Sequence, residues 1–176
     1  MWLIIACACG IIVGTVWLAV DFAVSPRDAW MWLVVNFVIY WGAASGIFCW
    51  AAAFRIAQAR WTSVVNRFAQ SAFAFTPVLV VLLAVLLIGS RHYMPWVEHP
   101  VRGKEAWLNP TSFVIREVIA ALLFWVPCWL FVRRSLAAYR KAEITERDHH
   151  RLNVVAVIVV ATYAVTATII AWDFIM

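Results

Sequence analysis

The chain has 176 residues, of which 66% are hydrophobic and only 13% charged, and its mean hydropathy is strongly positive. That balance excludes a water-soluble domain of this length. It predicts an all-α integral membrane protein, a single transmembrane domain over 1–176 with about five helices in a bundle and a short interfacial helix. The net charge of +5 gathers in loops between apolar runs, the pattern of a positive-inside bias and not of a nucleic-acid binder.

The first span runs from about Trp2 to Val20, long enough at about 1.5 Å per residue to cross a bilayer. It has no basic n-region and no small-residue cleavage site before Asp21, so it reads as a retained helix and not as a signal peptide. Gly10 and Gly14 give it a small-xxx-small face that permits close approach of another helix. A link over 21–29 containing Pro26 leads to the second span, Trp30 to Phe54, which opens on the interfacial tryptophans Trp30 and Trp32. Asn36 and Tyr40 lie inside it, read as packing residues with satisfied hydrogen bonds or as ligand contacts. The stretch Arg55 to Arg67 is basic and aromatic at helical spacing and holds no acid, which predicts the interfacial helix. The third span, Phe68 to Gly89, carries Pro77 and should kink near Phe73. The fourth, Thr111 to Val132, has Asn109 or Thr111 as N-cap and a second kink at Pro127. A charged loop, Arg133 to Arg151, precedes the fifth span, Leu152 to Asp173.

The four cysteines, Cys7, Cys9, Cys49 and Cys128, fall inside apolar spans with no histidine at ligand spacing. They read as membrane hydrophobes, and no metal site is expected. Of the lysines and arginines, Arg55, Arg60, Arg67, Arg133, Arg134, Arg140, Lys141, Arg147 and Arg151 flank one side of the membrane, while Arg27, Arg91, Arg102 and Lys104 flank the other. The richer side is cytoplasmic by the positive-inside rule, which puts the N-terminus inside and the C-terminus outside.

The polar insert 91–109 then faces outward, and its chemistry stands apart from the hydrocarbon around it. His92 and His99 are groups able to titrate near neutrality, and Tyr93 and Trp96 supply aromatic walls and a donor, a set that suits a quinone headgroup. The same residues suit an interfacial loop anchored by aromatics. Arg116 and Glu117 lie about 9 Å into the fourth helix, where an ionisable group is costly and marks a functional-site candidate. Adjacent residues diverge by about 100° around a helix, so each needs a partner of its own. On the fifth span, Tyr163, Thr166 and Asp173 share one face with Thr162 beside them. That stripe reads either as a water and proton path toward Asp173, or as threonines bonded to their own helix beneath a solvated terminal acid.

The segments HYMPWVEHP and KEAWLNPTSFVIRE, with WTSVVNR before them, RRSL after the fourth span and WD near the end of the fifth, carry a resemblance. Over Trp30 to Asp173 the chain resembles ActF, an NrfD-related membrane subunit of alternative complex III. The resemblance implies a bacterial inner-membrane subunit of a quinol-oxidising respiratory or photosynthetic electron-transfer complex, a quinol:cytochrome c (or other acceptor) oxidoreductase. In this family the subunit binds no covalent cofactor and contributes to a quinone-associated pocket, a proton path or both. Its implied partners are a sister NrfD-like subunit, other membrane subunits, and iron-sulfur and multihaem cytochrome subunits on the outer side. Carried over by position, His92, Tyr93, Trp96 and His99 belong to the outer loop, Arg116 and Glu117 to the fourth helix, and Asp173 to the fifth. Other roles open to the same fold are the anchor of a molybdopterin oxidoreductase, or a structural subunit that docks an outer-side protein. Gln70 stands where the family favours a glutamate. Family members also continue with further helices, so five spans correspond to half of the usual bundle.

Overall fold

The computed structural model describes residues 2–58, 67, 69–98, 103–104, 107–140 and 145–175. Every regular element among the described residues is helical, and 5 helices are long and apolar enough to cross a membrane: Ile4–Val24, Pro26–Ile56, Ala69–Ile88, Pro110–Ala138 and Glu146–Ile175. The protein is an all-α, multi-pass membrane bundle.

Helices α1 (Trp2–Val24) and α2 (Pro26–Ile56) are separated by Ser25 alone, so the expected link over 21–29 is corrected to a single residue. Ser25 leaves helical geometry at φ −142° and ψ 79°, and Pro26 starts α2 where its missing N–H is not needed. At the far end, Gln58 takes a left-handed φ of 51° and stops the helix. The third crossing tightens into a 3-10 turn over Ala72–Phe75 before continuing as α3 (Thr76–Ile88). Pro77 cannot donate to the Phe73 carbonyl, and the Thr76 N–H takes its place, which is the local reason for the tightened turn.

The insert begins as two helical turns, α4 (Ser90–Tyr93) and α5 (Pro95–Glu98). The next crossing, α6 (Pro110–Tyr139), starts at Asn109, whose Oδ1 accepts the Thr111 N–H at 2.9 Å, and runs unbroken through Pro127. Helix α7 spans Glu146–Ile175. The loop expected over 133–151 is therefore corrected, because both helices continue well into it. At about 1.5 Å per residue, a helix of 30 residues covers the hydrocarbon core and both headgroup layers, so the charged ends stay helical at headgroup depth. The interfacial helix expected over 55–67 lies mostly outside the described residues.

Helices α2, α6 and α7 and the third crossing enclose the core, in which Phe37, Phe48, Phe113, Phe124, Leu79, Leu86 and Ile170 are fully buried. Lipid tails are as apolar as these side chains, so the bundle is held by close packing and interhelical polar contacts more than by exclusion of water. Aromatic interlocks supply much of the packing: Trp41 stacks on Tyr163, with centroids 6.5 Å apart, and Phe48 meets Trp125 edge to face. Helix α1 stands apart. Its described side chains from Ile4 to Trp17 are exposed, and a Cβ on Gly10 or Gly14 would meet nothing within 4 Å.

Candidate functional site

Antiparallel packing of α6 on α7 brings the start of one against the end of the other, at the bundle end that carries the insert. There Arg116 Nε donates to Asp173 Oδ2 at 2.6 Å and Nη2 donates to Oδ1 at 2.8 Å. Two parallel N–H donors on two carboxylate oxygens make a bidentate fork, the strongest geometry available to this pair. Relative exposure is 14% for the Arg116 side chain and 3% for Asp173, so the pair is shielded on nearly all sides. Residue 107 of the insert roofs it. The Trp107 carbonyl accepts from Arg116 Nη1 at 3.4 Å, and the guanidinium carbon lies 4.2 Å from the centroid of the Trp107 ring. Asp173 is therefore a buried partner of Arg116 and not a solvated terminal acid.

Glu117 follows Arg116 in sequence and turns inward, with 0% of its surface exposed. Neither of its carboxyl oxygens meets a hydrogen-bond donor among the described residues. Arg116 and Asp173 are its charged neighbours, and its carboxyl faces that of Asp173 across the α6–α7 contact.

Above this cluster the insert packs on the start of α2. Trp30 stacks on His92 with centroids 5.4 Å apart and planes at 10°, lies 6.2 Å from Tyr93, and receives Phe22 edge-on. The ring rests on Gly89, where a Cβ would come within 2.1 Å of the indole. Glycine is required here for close approach, not for an unusual backbone angle. Tyr93 is buried, and its hydroxyl donates to the Leu86 carbonyl at 3.0 Å. Burial, and then the nearby Glu117 carboxyl, push its phenol well above the ordinary tyrosine range. Trp96 is half-buried and meets Phe113 edge-on. Of the outer-loop candidates, His92 keeps its side chain exposed while Tyr93 and Trp96 turn into the bundle. His99 lies outside the described residues.

Comparison with protein-family models, curated proteins and solved structures finds no match to this chain. The site therefore rests on its own geometry.

Tyr163 and Thr166 stand deeper and in different surroundings from Asp173. Thr162 Oγ1 donates to the Ile158 carbonyl at 2.8 Å and Thr166 Oγ1 to the Thr162 carbonyl at 2.8 Å, so both hydroxyl protons are used within α7. Tyr163 is packed between Trp41 and Phe124. The shared stripe thus holds two self-bonded threonines and an aromatic contact, and among the described residues only its last member joins the charged cluster.

Sequence reasoning missed two features. Trp30 read as a membrane-interface anchor, yet it forms the stacking surface for His92; the reciprocal signal was Gly89, a small residue opposite it. At the other end of the bundle, Arg55 Nε donates to Asn153 Oδ1 at 3.2 Å and its Nη2 lies 2.7 Å from His149 Nδ1, which ties α2 to α7. Nearby, the buried Gln70 donates from Nε2 to Ser135 Oγ at 2.7 Å. The place where the resemblance favours a glutamate is here a neutral link to α6.

Proposed function

We propose that the chain is the membrane subunit of a quinol-oxidising electron-transfer complex, similar to ActF, and that the insert end is its redox-linked face. The observation that carries this reading is the buried Arg116–Asp173 pair with Glu117 beside it, set just inside the bundle beneath an aromatic mouth of Trp30, His92 and Trp96. Ionisable groups at this depth are costly in a membrane and are retained where charge or protons are handled. A quinol needs a group near its hydroxyls that accepts protons as electrons leave, and a flat apolar wall for its ring. The exposed His92 imidazole stacked on Trp30 offers both at the mouth, and the carboxyl cluster lies behind it.

The positive-inside count supports an outward-facing site in a bacterial cytoplasmic membrane, on the side where iron-sulfur and haem subunits would receive the electrons. On this reading the chain brings no redox centre of its own, a quinol is a substrate of the assembled complex, and a sister NrfD-like subunit is one of its membrane partners.

The test is to isolate the chain from native membranes with its partners and measure quinol oxidation. Arg116→Leu and Asp173→Asn complexes that assemble normally should lose most of the turnover. Full turnover by both assembled variants would overturn the reading, as would isolation with partners that hold no electron-transfer centre.

A further inference from the structure

Among the described residues the insert-end cluster holds two carboxyls and one cation, and the cation is forked onto one of the carboxyls. Both donor arms of the Arg116 fork go to Asp173, and its remaining contact is the Trp107 carbonyl. Glu117, with 0% exposure, has no donor on either oxygen among the described residues. A bare carboxylate so enclosed would lose its hydration and regain no hydrogen bond among the described residues, with only the charge of Arg116 nearby to offset the loss. The other polar groups around it do not change this: the Tyr93 proton is spent on the Leu86 carbonyl, and α2 enters the region through Trp30 and Phe37. Arg27 and Asp28 open α2 at the same end of the bundle, and His92 stays at the mouth.

Among the described residues the remaining polar neighbour is Asp173, whose carboxyl is within hydrogen-bonding reach of Glu117. Two ionised carboxyls are both acceptors and repel each other, whereas a hydrogen bond between them forms as soon as one carries a proton. We propose that Glu117 is a proton-binding site: it carries one proton, donated in a hydrogen bond to Asp173, so that the two carboxyls form a single-proton pair clamped by Arg116. Transfer within the pair breaks the O–H bond on Glu117 and forms one on Asp173, with no change of oxidation state. The negative charge moves to Glu117, and the guanidinium, one residue away on α6, is placed to follow it. The proton count, one per cluster, follows from one cation facing two carboxyls among the described residues of a buried site.

This inference deepens the proposed function by naming what the site binds, and for its use in redox-linked traffic it rests on that reading. It is tested without quinol, so the two can fail separately. The intact complex, grown with carboxyl-13C glutamate, is examined by infrared spectroscopy at neutral pH. The expected result is a carboxylic-acid C=O band that shifts with the label and in heavy water and is lost in Glu117→Gln. Asp173→Asn should also abolish it, because Arg116 is then left with Glu117 as its only acidic partner and draws it into the ionised state. Absence of a label-sensitive acid band in the wild type would overturn the assignment, as would a band that survives Glu117→Gln. A band unaffected by Asp173→Asn would overturn the shared pair. Should Glu117→Gln fail to assemble, the labelled wild type and Asp173→Asn still decide the matter.

Discussion

Replacing Arg116 by Met tests whether the buried pair is held by charge. Asp173, with 3% of its side chain exposed, would lose both donors of the fork and have no solvent to replace them. Removing one partner of a buried ion pair costs about 3–5 kcal/mol, against about 0.6 kcal/mol for an average interhelical hydrogen bond in a membrane. A loss of roughly two or more powers of ten in the folded-to-unfolded ratio therefore identifies charge and not an ordinary polar contact. Asp173→Leu should cost less, on the order of 1–2 kcal/mol, because Glu117 is near enough to take up the guanidinium. The double variant should return to within about 1 kcal/mol of the wild type, since an apolar pair of similar volume is often as stable as the ion pair it replaces. Reversible denaturation of the chain in mixed micelles supplies the three differences. The reasoning is refuted if Arg116→Met unfolds at the wild-type midpoint, or if the double variant loses the sum of the single losses.

Gly89→Ala should destabilise the bundle by about 1–3 kcal/mol and weaken the Trp30–His92 stack, because the new methyl occupies the indole's position; the same denaturation assay and the His92 ring-proton shifts would show it. Tyr93 should stay neutral through the ordinary tyrosine range, so Tyr93→Phe should leave the phenolate absorbance curve unchanged through about pH 11. Its raised folded value adds stability that is complete below the ordinary tyrosine range and fades as pH climbs from about 10, where only the unfolded chain releases the proton; a flat alkaline stability profile would contradict this. Glu117→Gln should unfold within about 1 kcal/mol of the wild type, since an amide N–H can donate to Asp173 where the carboxyl proton did, while Glu117→Ala should lose more by leaving an empty, dry space. Because a guanidinium only donates, His149 Nδ1 must accept from Arg55, and nitrogen NMR should find its neutral ring protonated at Nε2.

The membrane class and the five crossings were legible because apolar length is a signal that accumulates over some twenty residues. Boundaries were less so. Hydropathy falls where the headgroups begin, whereas the helix continues for as long as nothing stops it, and so α6 and α7 extend past the expected ends at Val132 and Leu152. The need of Arg116 and Glu117 for separate partners followed from their spacing on one helix, and Asp173 stood at a matching depth. The sequence could not reveal that Asp173 would engage Arg116 with both oxygens and leave Glu117 without a hydrogen-bond donor among the described residues, because that depends on how α6 and α7 are rotated against each other. Trp30 escaped for a similar reason: an interfacial tryptophan and one stacked on a histidine look alike until Gly89 and His92 are placed beneath it.

The charge balance of the cluster connects its stability with its use. With Arg116 and Asp173 ionised and one proton on Glu117, the site is neutral and makes the smallest demand on a medium that solvates ions poorly. Removing the proton leaves one uncompensated negative charge behind the aromatic mouth, and the same low polarity that protects the pair makes that charge expensive to hold. At a given pH, loss of the proton becomes more favourable when positive charge arrives nearby, and under the proposed function that charge would come from quinol protons released toward His92. An arginine at residue 116 without Glu117 would form a static clamp, and Glu117 without the arginine would leave the two carboxyls with no cation to set how many protons they keep. On the proposed reading the three side chains together bind the proton reversibly, and it is this combination, more than any one of them, that would make the insert end the functional face of the bundle.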